Sequence, residues 1–349
     1  MIRRILSSSI LQRISAQKSV KFHTSTTREQ RKKEFTEKVH PFSQINVNLK
    51  GVQLVKILPF DLLDCADANI LRATATSDED KEPHVSIDIQ DKDVNVESHP
   101  GVSEVLLEIP VKADLSVAAD GKLDVADLHS DRISVSTSSG ISTRNLRSES
   151  IELHSKGDIV CRGLTLGYKV RIETEDAGNV SLEKVQGEEL QVDCKAGSIS
   201  TESCYSTNSK FSTQTGNLVL NNVHRCAEVN VLEEGNLTMC GFNGTLLAKV
   251  CKGRIQLQLA ELWGENVVIS NAAEDVSVNV ADAVVDTTYF HAAAENVHVD
   301  DSLKHLLGTK ENGAVTIGKK TLPQKLFIQT EGRLEIKKLS WVDAVKLKM

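Results

Sequence analysis

The sequence predicts an all-β protein, mostly a stacked β-solenoid (β-helix-like) with coils of about 19 residues, preceded by a β-rich N-terminal region. Three observations predict it. Glycine-led turns recur at a near-constant interval, an apolar–polar–apolar triplet follows each turn, and the apolar content is aliphatic. Aromatic residues make up only 4% of the 349 residues, whereas Val and Ile, whose branched side chains suit pleated surfaces, fill the triplets.

The turns begin at Gly121, Gly140, Gly157, Gly178, Gly197, Gly216, Gly235 and Gly253, each one coil on from the last. Each leads into a triplet such as Ile159 and Cys161, Val180 and Leu182, Ile199 and Thr201, or Leu237 and Met239. Two copies lack the glycine, at Val276 and Val278 and at Val297 and Val299; Gly313 and Gly332 restore it. A second triplet lies between copies, at Val170 and Ile172, Leu190 and Val192, Val229 and Val231, and Val267 and Ile269. Each period therefore reads as two strands and two turns, with alternate side chains on one face. A single coil buries too few aliphatics, at roughly 1.5 to 3 kcal/mol each, to offset about 1 to 2 kcal/mol of backbone entropy per residue. Coils must therefore share a core, and the ends of the stack must be covered.

Before the repeat, Ile45–Leu49, Val52–Leu58, Val85–Ile89 and Val102–Ile109 read as strands, and the acidic stretch Ser77–Glu82 before Pro83 reads as an exposed loop. The expected organisation is a disordered mitochondrial transit peptide at 1–34, a capping β-rich region at 35–120, the solenoid at 121–338, and a tail at 339–349. That tail holds Trp341, Val342 and Val345, which suit a cover for the far end. Residues 1–34 hold nine Lys/Arg and two acids, Glu29 and Glu34, among many hydroxyl residues. That is leader composition, and no apolar stretch there is long enough for a secretory signal. The expected compartment is the mitochondrial matrix.

The remaining 315 residues carry 32 bases and 46 acids. A body this acidic repels a phosphate backbone, so no nucleic-acid partner is expected. No apolar run reaches the roughly 20 residues of a membrane span. Cys65, Cys161, Cys194, Cys204, Cys226, Cys240 and Cys251 form an odd set without a CxxC pair, which reads as reduced, mostly buried thiols.

The run Ile109, Pro110, Val111 through Leu115, Ser116 and Val117, then Gly121–Val125, Ile133–Thr137 and Gly140, resembles the repeat of the adhesin-like β-strand family, domain of unknown function 4097. With a leader ahead of it, the chain is similar to the animal family with sequence similarity 185. The resemblance spans roughly residues 100–338 and rests on periodicity. It implies an all-β repeat fold and carries over no catalytic residue.

Candidate chemistry is sparse. Gly313, Gly318 and Lys319 have phosphate-loop spacing, but Lys320 stands where Ser or Thr must meet Mg²⁺, and Ala314–Ile317 reads as a strand. Glu173 and Asp193 fall one coil apart, as stacked carboxylates of a sugar-cleaving β-helix do. Both follow inward residues and so point outward. His291 and His298 near Asp300 and Asp301 match no standard metal spacing. Cys226, Cys240 and Cys251 fit buried repeat positions. Asn179, Asn236 and Asn243 open glycosylation sequons, relevant only to a secreted chain. The reading is a non-enzymatic protein without cofactor or metal, a mitochondrial scaffold or interaction module with a protein partner. The alternatives are a secreted or surface adhesin-like protein and a β-helix carbohydrate-active enzyme.

Overall fold

The computed structural model describes residues 31–61, 69–78, 82–271, 274–308 and 314–339. Their strands join in one 25-stranded sheet. One short helix, Asp282–Thr287, and one 3₁₀ turn, Asp301–Leu306, are the helical elements among the described residues. The protein is all-β.

Two parallel ladders run the length of the molecule. In the leading ladder Ile141, Ile159, Val180, Ile199, Leu218, Leu237, Ile255 and Val276 are successive partners, one per coil. In the trailing ladder Leu153, Ile172, Val192, Phe211, Val229, Ala248 and Val268 follow one another. All of these are buried, and the sequence period of two agrees with the register except at the last level, where Val268 faces inward while Val267 and Ile269, read as the triplet there, face outward. The central strands are longer than the triplets suggest. Ile141–Ser155, Ile159–Thr174, Val180–Cys194 and Ile199–Thr215 each run through a bend in which Leu146, Thr165, Val185 and Cys204 also pair. Each central turn of chain therefore has three sides rather than two.

Glycine is required at the turns by packing. A Cβ on Gly178, Gly197, Gly216, Gly235 or Gly253 would overlap the carbonyl oxygen of the glycine one level before. The residue after each glycine carries a second ladder. Asn179 N–H donates to Asp158 Oδ1 at 2.8 Å, Ser198 N–H to Asn179 Oδ1 at 2.9 Å, and Asn217 N–H to Ser198 Oγ at 3.1 Å. Asn236 N–H donates to Asn217 Oδ1, and Arg254 N–H to Asn236 Oδ1, both at 2.9 Å. Asn217→Ala removes an acceptor from this column where water can replace it, so we expect a loss of about 1 kcal/mol. Thermal unfolding should show this as a midpoint about 1–2 °C lower.

Chain order breaks at both ends. At the N-terminal end the pair Gln44–Leu49 and Leu54–Pro59 is threaded between Asp93–Ser98 with Glu104–Ile109 on one side and Asp114–Ala119 with Lys122–Ala126 on the other. At the C-terminal end Gln324–Thr330 and Arg333–Lys338 are threaded between Glu265–Ser270 with Val276–Val280 and Thr288–Ala293 with Asn296–Val299. Antiparallel strands then cover the outer levels. Ile70–Ser77 lies on Glu104–Ile109, Val85–Gln90 on Asp93–Ser98, and Val315–Ile317 on Thr288–Ala293.

Several expectations change accordingly. The ladders cross residue 121 without a break, so 35–120 supplies levels of the stack as well as its cover. Arg31–Lys38 pairs antiparallel with Ile70–Ser77, so Arg31–Glu34 belongs to the sheet rather than to a disordered leader. Polar residues at alternate positions hide the strands Ile70–Ser77 and Asp93–Ser98 in the sequence. The copies at Val297 and at Leu334 exist, but in reversed spatial order. Residues 1–30 and 340–349, which hold most of the leader and tail, lie outside the described residues.

Candidate interaction surface

Constant register lines outward side chains into straight columns, one residue per level. On the trailing side one column reads Arg171, Gln191, Lys210, Glu228, Leu247, Val267 and Phe327, changing from charged to apolar toward the C-terminal end. A shallow groove of about 440 Å³ runs beside it, lined by Lys169, Glu189, Lys210, Cys226, Glu228 and Leu247 among others. Lys210 and Glu228 are 3.3 Å apart. Hydrogen bonds from the Asn230 amide, then from Lys210, hold the Glu228 carboxyl below the usual range.

Glu173 and Asp193 are register partners on this side and line a depression with Glu175, Asp176 and Lys195. Each is engaged along its own strand, Glu173 by Arg171 at 3.3 Å and Asp193 by Gln191 at 2.6 Å. His154 lies 3.0 Å from Glu175 and 4.0 Å from Glu173. These are solvated neighbours on an open sheet face.

His291 and His298 are not brought together. His291 pairs with Thr316 and Phe327 on the trailing ladder, and His298 with Glu335 on the leading one. Asp300 accepts from Ser302 N–H at 2.9 Å to cap the 3₁₀ turn, which holds its carboxyl below the usual range, and Asp301 pairs with Lys304 at 2.6 Å. No group of three or more His, Cys, Asp or Glu side chains suited to a metal ion occurs among the described residues. Gly313 lies outside them. Val315–Ile317, just before Gly318, is an antiparallel edge strand rather than a repeat copy.

Cys161, Cys194 and Cys204 are buried, whereas Cys226 and Cys251 are exposed and Cys240 is half-buried. This corrects the expectation that the last three fill buried positions. Cys226 pairs between Asn208 and Thr245 in the outward phase, and Cys251 sits in a turn. Burial pushes the Cys161 and Cys194 thiols up to about 11. At pH 8 their thiolate fraction is on the order of 0.1%. Iodoacetamide on the native protein should therefore label Cys226 and Cys251 and spare Cys161, as read by peptide mass.

The middle side has two outward positions per central level. One column holds Arg147, Leu166, Gln186 and Tyr205, continuing through His224, Asn243 and Glu261. Tyr205 stacks on His224 with ring centroids 4.6 Å apart and planes 16° apart. Burial pushes the His224 imidazole below its ordinary value, which favours the neutral ring. Glu261 accepts from Trp263 Nε1 and from Asn243 Nδ2, both at 3.0 Å. Asn243 Oδ1 is buried without a hydrogen-bond partner. Tyr168 is 67%, Tyr205 42% and Trp263 42% exposed. Sequence reasoning passed over these rings. Their signal was an aromatic in the outward phase of a chain almost without aromatics.

No family model matches the chain. It is similar to crystal structures of two proteins named as adhesins. One, from Parabacteroides distasonis, has 11% identity over 88% of this chain and 98% of that one, with a TM-score of 0.41. The other, from Parabacteroides merdae, has 11% identity over 89% and 97%, with a TM-score of 0.40. A third, from P. distasonis and named as a lipid-binding protein, has 11% identity over 88% and 97%, with a TM-score of 0.38. At these scores the likeness is loose, and the architecture rests on the strand register itself.

Proposed function

We propose that this protein is a non-catalytic β-solenoid that works as a scaffold or protein-interaction module, in the mitochondrial matrix after loss of its leader. The observation that carries the reading is the register. It turns each side of a rod of roughly 58 Å, from twelve intervals of about 4.8 Å, into parallel columns of outward side chains. Such surfaces serve extended contact, as in other repeat proteins. No helix among the described residues is long and apolar enough to cross a membrane.

A second reading, a surface adhesin-like protein, draws on the names of the loosely similar structures. The sequon asparagines weigh against its secreted form. Asn179 Nδ2 donates to Asp158 Oδ1 at 3.2 Å, Asn236 Nδ2 to Asn217 Oδ1 at 3.0 Å, and Asn243 Nδ2 to Glu261 Oε2 at 3.0 Å. A glycan on these nitrogens would crowd the next level of the stack.

The test is the mature N-terminus and mass of the full chain expressed in cells, with organelle fractionation. A mitochondrial form cut before Arg31, leaving the strand Arg31–Lys38 intact, supports the first reading. An uncut or glycosylated chain at the cell surface overturns it in favour of the second.

A further inference from the structure

The two ladders end unevenly at the N-terminal end. On the leading side Ile70–Ser77 lies on Glu104–Ile109, and Arg31–Lys38 lies on Ile70–Ser77. On the trailing side Val85–Gln90 lies on Asp93–Ser98, and no strand among the described residues pairs beyond it. The trailing side is thus one level short. Hydrogen-bonded and open pairs alternate along an antiparallel ladder, and His99 N–H donates to His84 O at 3.1 Å. Ser86, Asp88 and Gln90 therefore turn their backbone groups toward Asp93–Ser98, whereas Val85, Ile87 and Ile89 turn theirs to the outer edge. Arg31–Lys38 guards its own outer edge with charge, at Arg31, Lys32, Lys33, Glu34, Glu37 and Lys38, whereas Val85–Gln90 carries Asp88 alone. Phe35, Ile87 and Ile89 are only partly buried against the core. One more strand would pair the edge and cover these side chains.

The topology says where that strand comes from. Two antiparallel steps separate Glu104–Ile109 from Arg31–Lys38, so Arg31–Lys38 runs in the same direction as the leading strands of the coils. In the coils a trailing strand feeds the leading strand of its level through a short turn, as Gln324–Thr330 feeds Arg333–Lys338. The chain ahead of Arg31 therefore arrives from the trailing side, at the level where that side is short, and antiparallel to Val85–Gln90. The turn 195–198 joins Cys194 to Ile199, and a turn of the same length, 27–30, would join Thr26 to Arg31. It sets Thr26 opposite Val85, Thr24 opposite Ile87 and Phe22 opposite Ile89, all in the inward phase. Phe and Thr favour strands, and Phe22 falls beside half-buried apolar side chains. On the outer face His23 falls opposite Asp88, a favourable pairing of base with acid.

We propose that the outer edge of Val85–Gln90 is a docking site for this chain's own residues 22–26, which precede the described residues and add there as an antiparallel strand. The N-terminal end of the stack is then closed by a segment that the composition of residues 1–34 assigns to a leader, and any processing cut falls before Phe22. The inference goes beyond the scaffold reading. A mitochondrial form that begins between 23 and 31 overturns the inference and leaves that reading standing.

The test is residue-resolved amide exchange on the full chain, read by nuclear magnetic resonance, with disulfide trapping beside it. The Ile87 and Ile89 amides should be protected in the parent and exchange about tenfold faster or more in Thr24→Pro. The Ser86 and Asp88 amides, which bond to Asp93–Ser98, should keep their protection in that variant and so show that the hairpin survives. In the double variant His23→Cys with Asp88→Cys the two positions form an open pair with Cα atoms about 4.5 Å apart. Mild oxidation should link them, as read by peptide mass. His23→Cys with Asn95→Cys, one strand farther in and beyond the roughly 7 Å reach of a disulfide, should not link. Unprotected Ile87 and Ile89 amides in the parent, or no link between positions 23 and 88, overturns the proposal. Protection that survives Thr24→Pro belongs to another occupant, such as a second copy of the chain, and overturns it equally.

Discussion

Gly197→Val should abolish cooperative folding of the central levels. Gly197 stands in the turn column, where a Cβ would overlap the carbonyl of Gly178, and Gly216 in turn rests on the carbonyl of Gly197. The obstructing atoms are backbone on both sides, so no side chain can swing away. Relief requires adjacent levels to part, which lengthens ladder hydrogen bonds and disturbs the hydroxyl of Thr213, which donates to Gly197 O at 3.0 Å. We expect a loss of about 4 kcal/mol or more, the range of large overpacking and backbone effects. Denaturant unfolding followed by circular dichroism measures it. Gly51→Ala is the contrast. Gly51 has φ +72° with nothing near its Cβ direction, so alanine there meets only left-handed strain, about 1 kcal/mol. Equal losses at the two positions would show that conformation, rather than close approach, selects the glycines.

Ending the chain at Leu322 should open the C-terminal third of the stack. That cut removes Gln324–Thr330 and Arg333–Lys338, each paired on both edges. Their loss strips partners from Glu265–Ser270 and Val276–Val280 on the inner side and from Thr288–Ala293 and Asn296–Val299 on the outer. It also deletes buried Leu326, Ile328, Leu334 and Ile336, each contributing roughly 1.5 to 3 kcal/mol. Amide exchange across 255–299 should accelerate by about 100-fold or more, while 141–215 keeps its protection. Unfolding of the whole chain would mean that the stack behaves as one cooperative unit rather than as coupled levels.

The central stack was legible because two constraints repeat together. Glycine spacing reports where turn rests on turn, and alternation reports which side chains face inward. The third side was not legible, since the bend residues Leu146, Thr165, Val185 and Cys204 are single inward positions without a triplet. The threaded ends were not legible either. Nothing in the local sequence of Gln324–Lys338 says that its inner partners lie as far back as Glu265 and Val276. Among candidate site residues, the outward phase of Glu173 and Asp193 followed from alternation, whereas the exposed positions of Cys226 and Cys251 required the actual register. The separation of His291 from His298 depended on which ladder each strand joins. The stacked pair of Tyr205 and His224 was invisible because its members are a whole coil apart along the chain.

The threaded ends also fix the order in which the molecule can assemble. Central levels close over the length of a single coil, a modest loop entropy. The first strand pair of the stack waits for partners that emerge much later in synthesis, as Gln44 waits for Asp114. The N-terminal end can therefore close once Lys122–Ala126 is made, before the middle exists, whereas Gln324–Thr330 and Arg333–Lys338 enter last, between strands already made. Lengthening such a protein by a parallel repeat is a matter for its middle, because antiparallel strands lie on the outermost parallel strands Asp93–Ser98, Glu104–Ile109 and Thr288–Ala293.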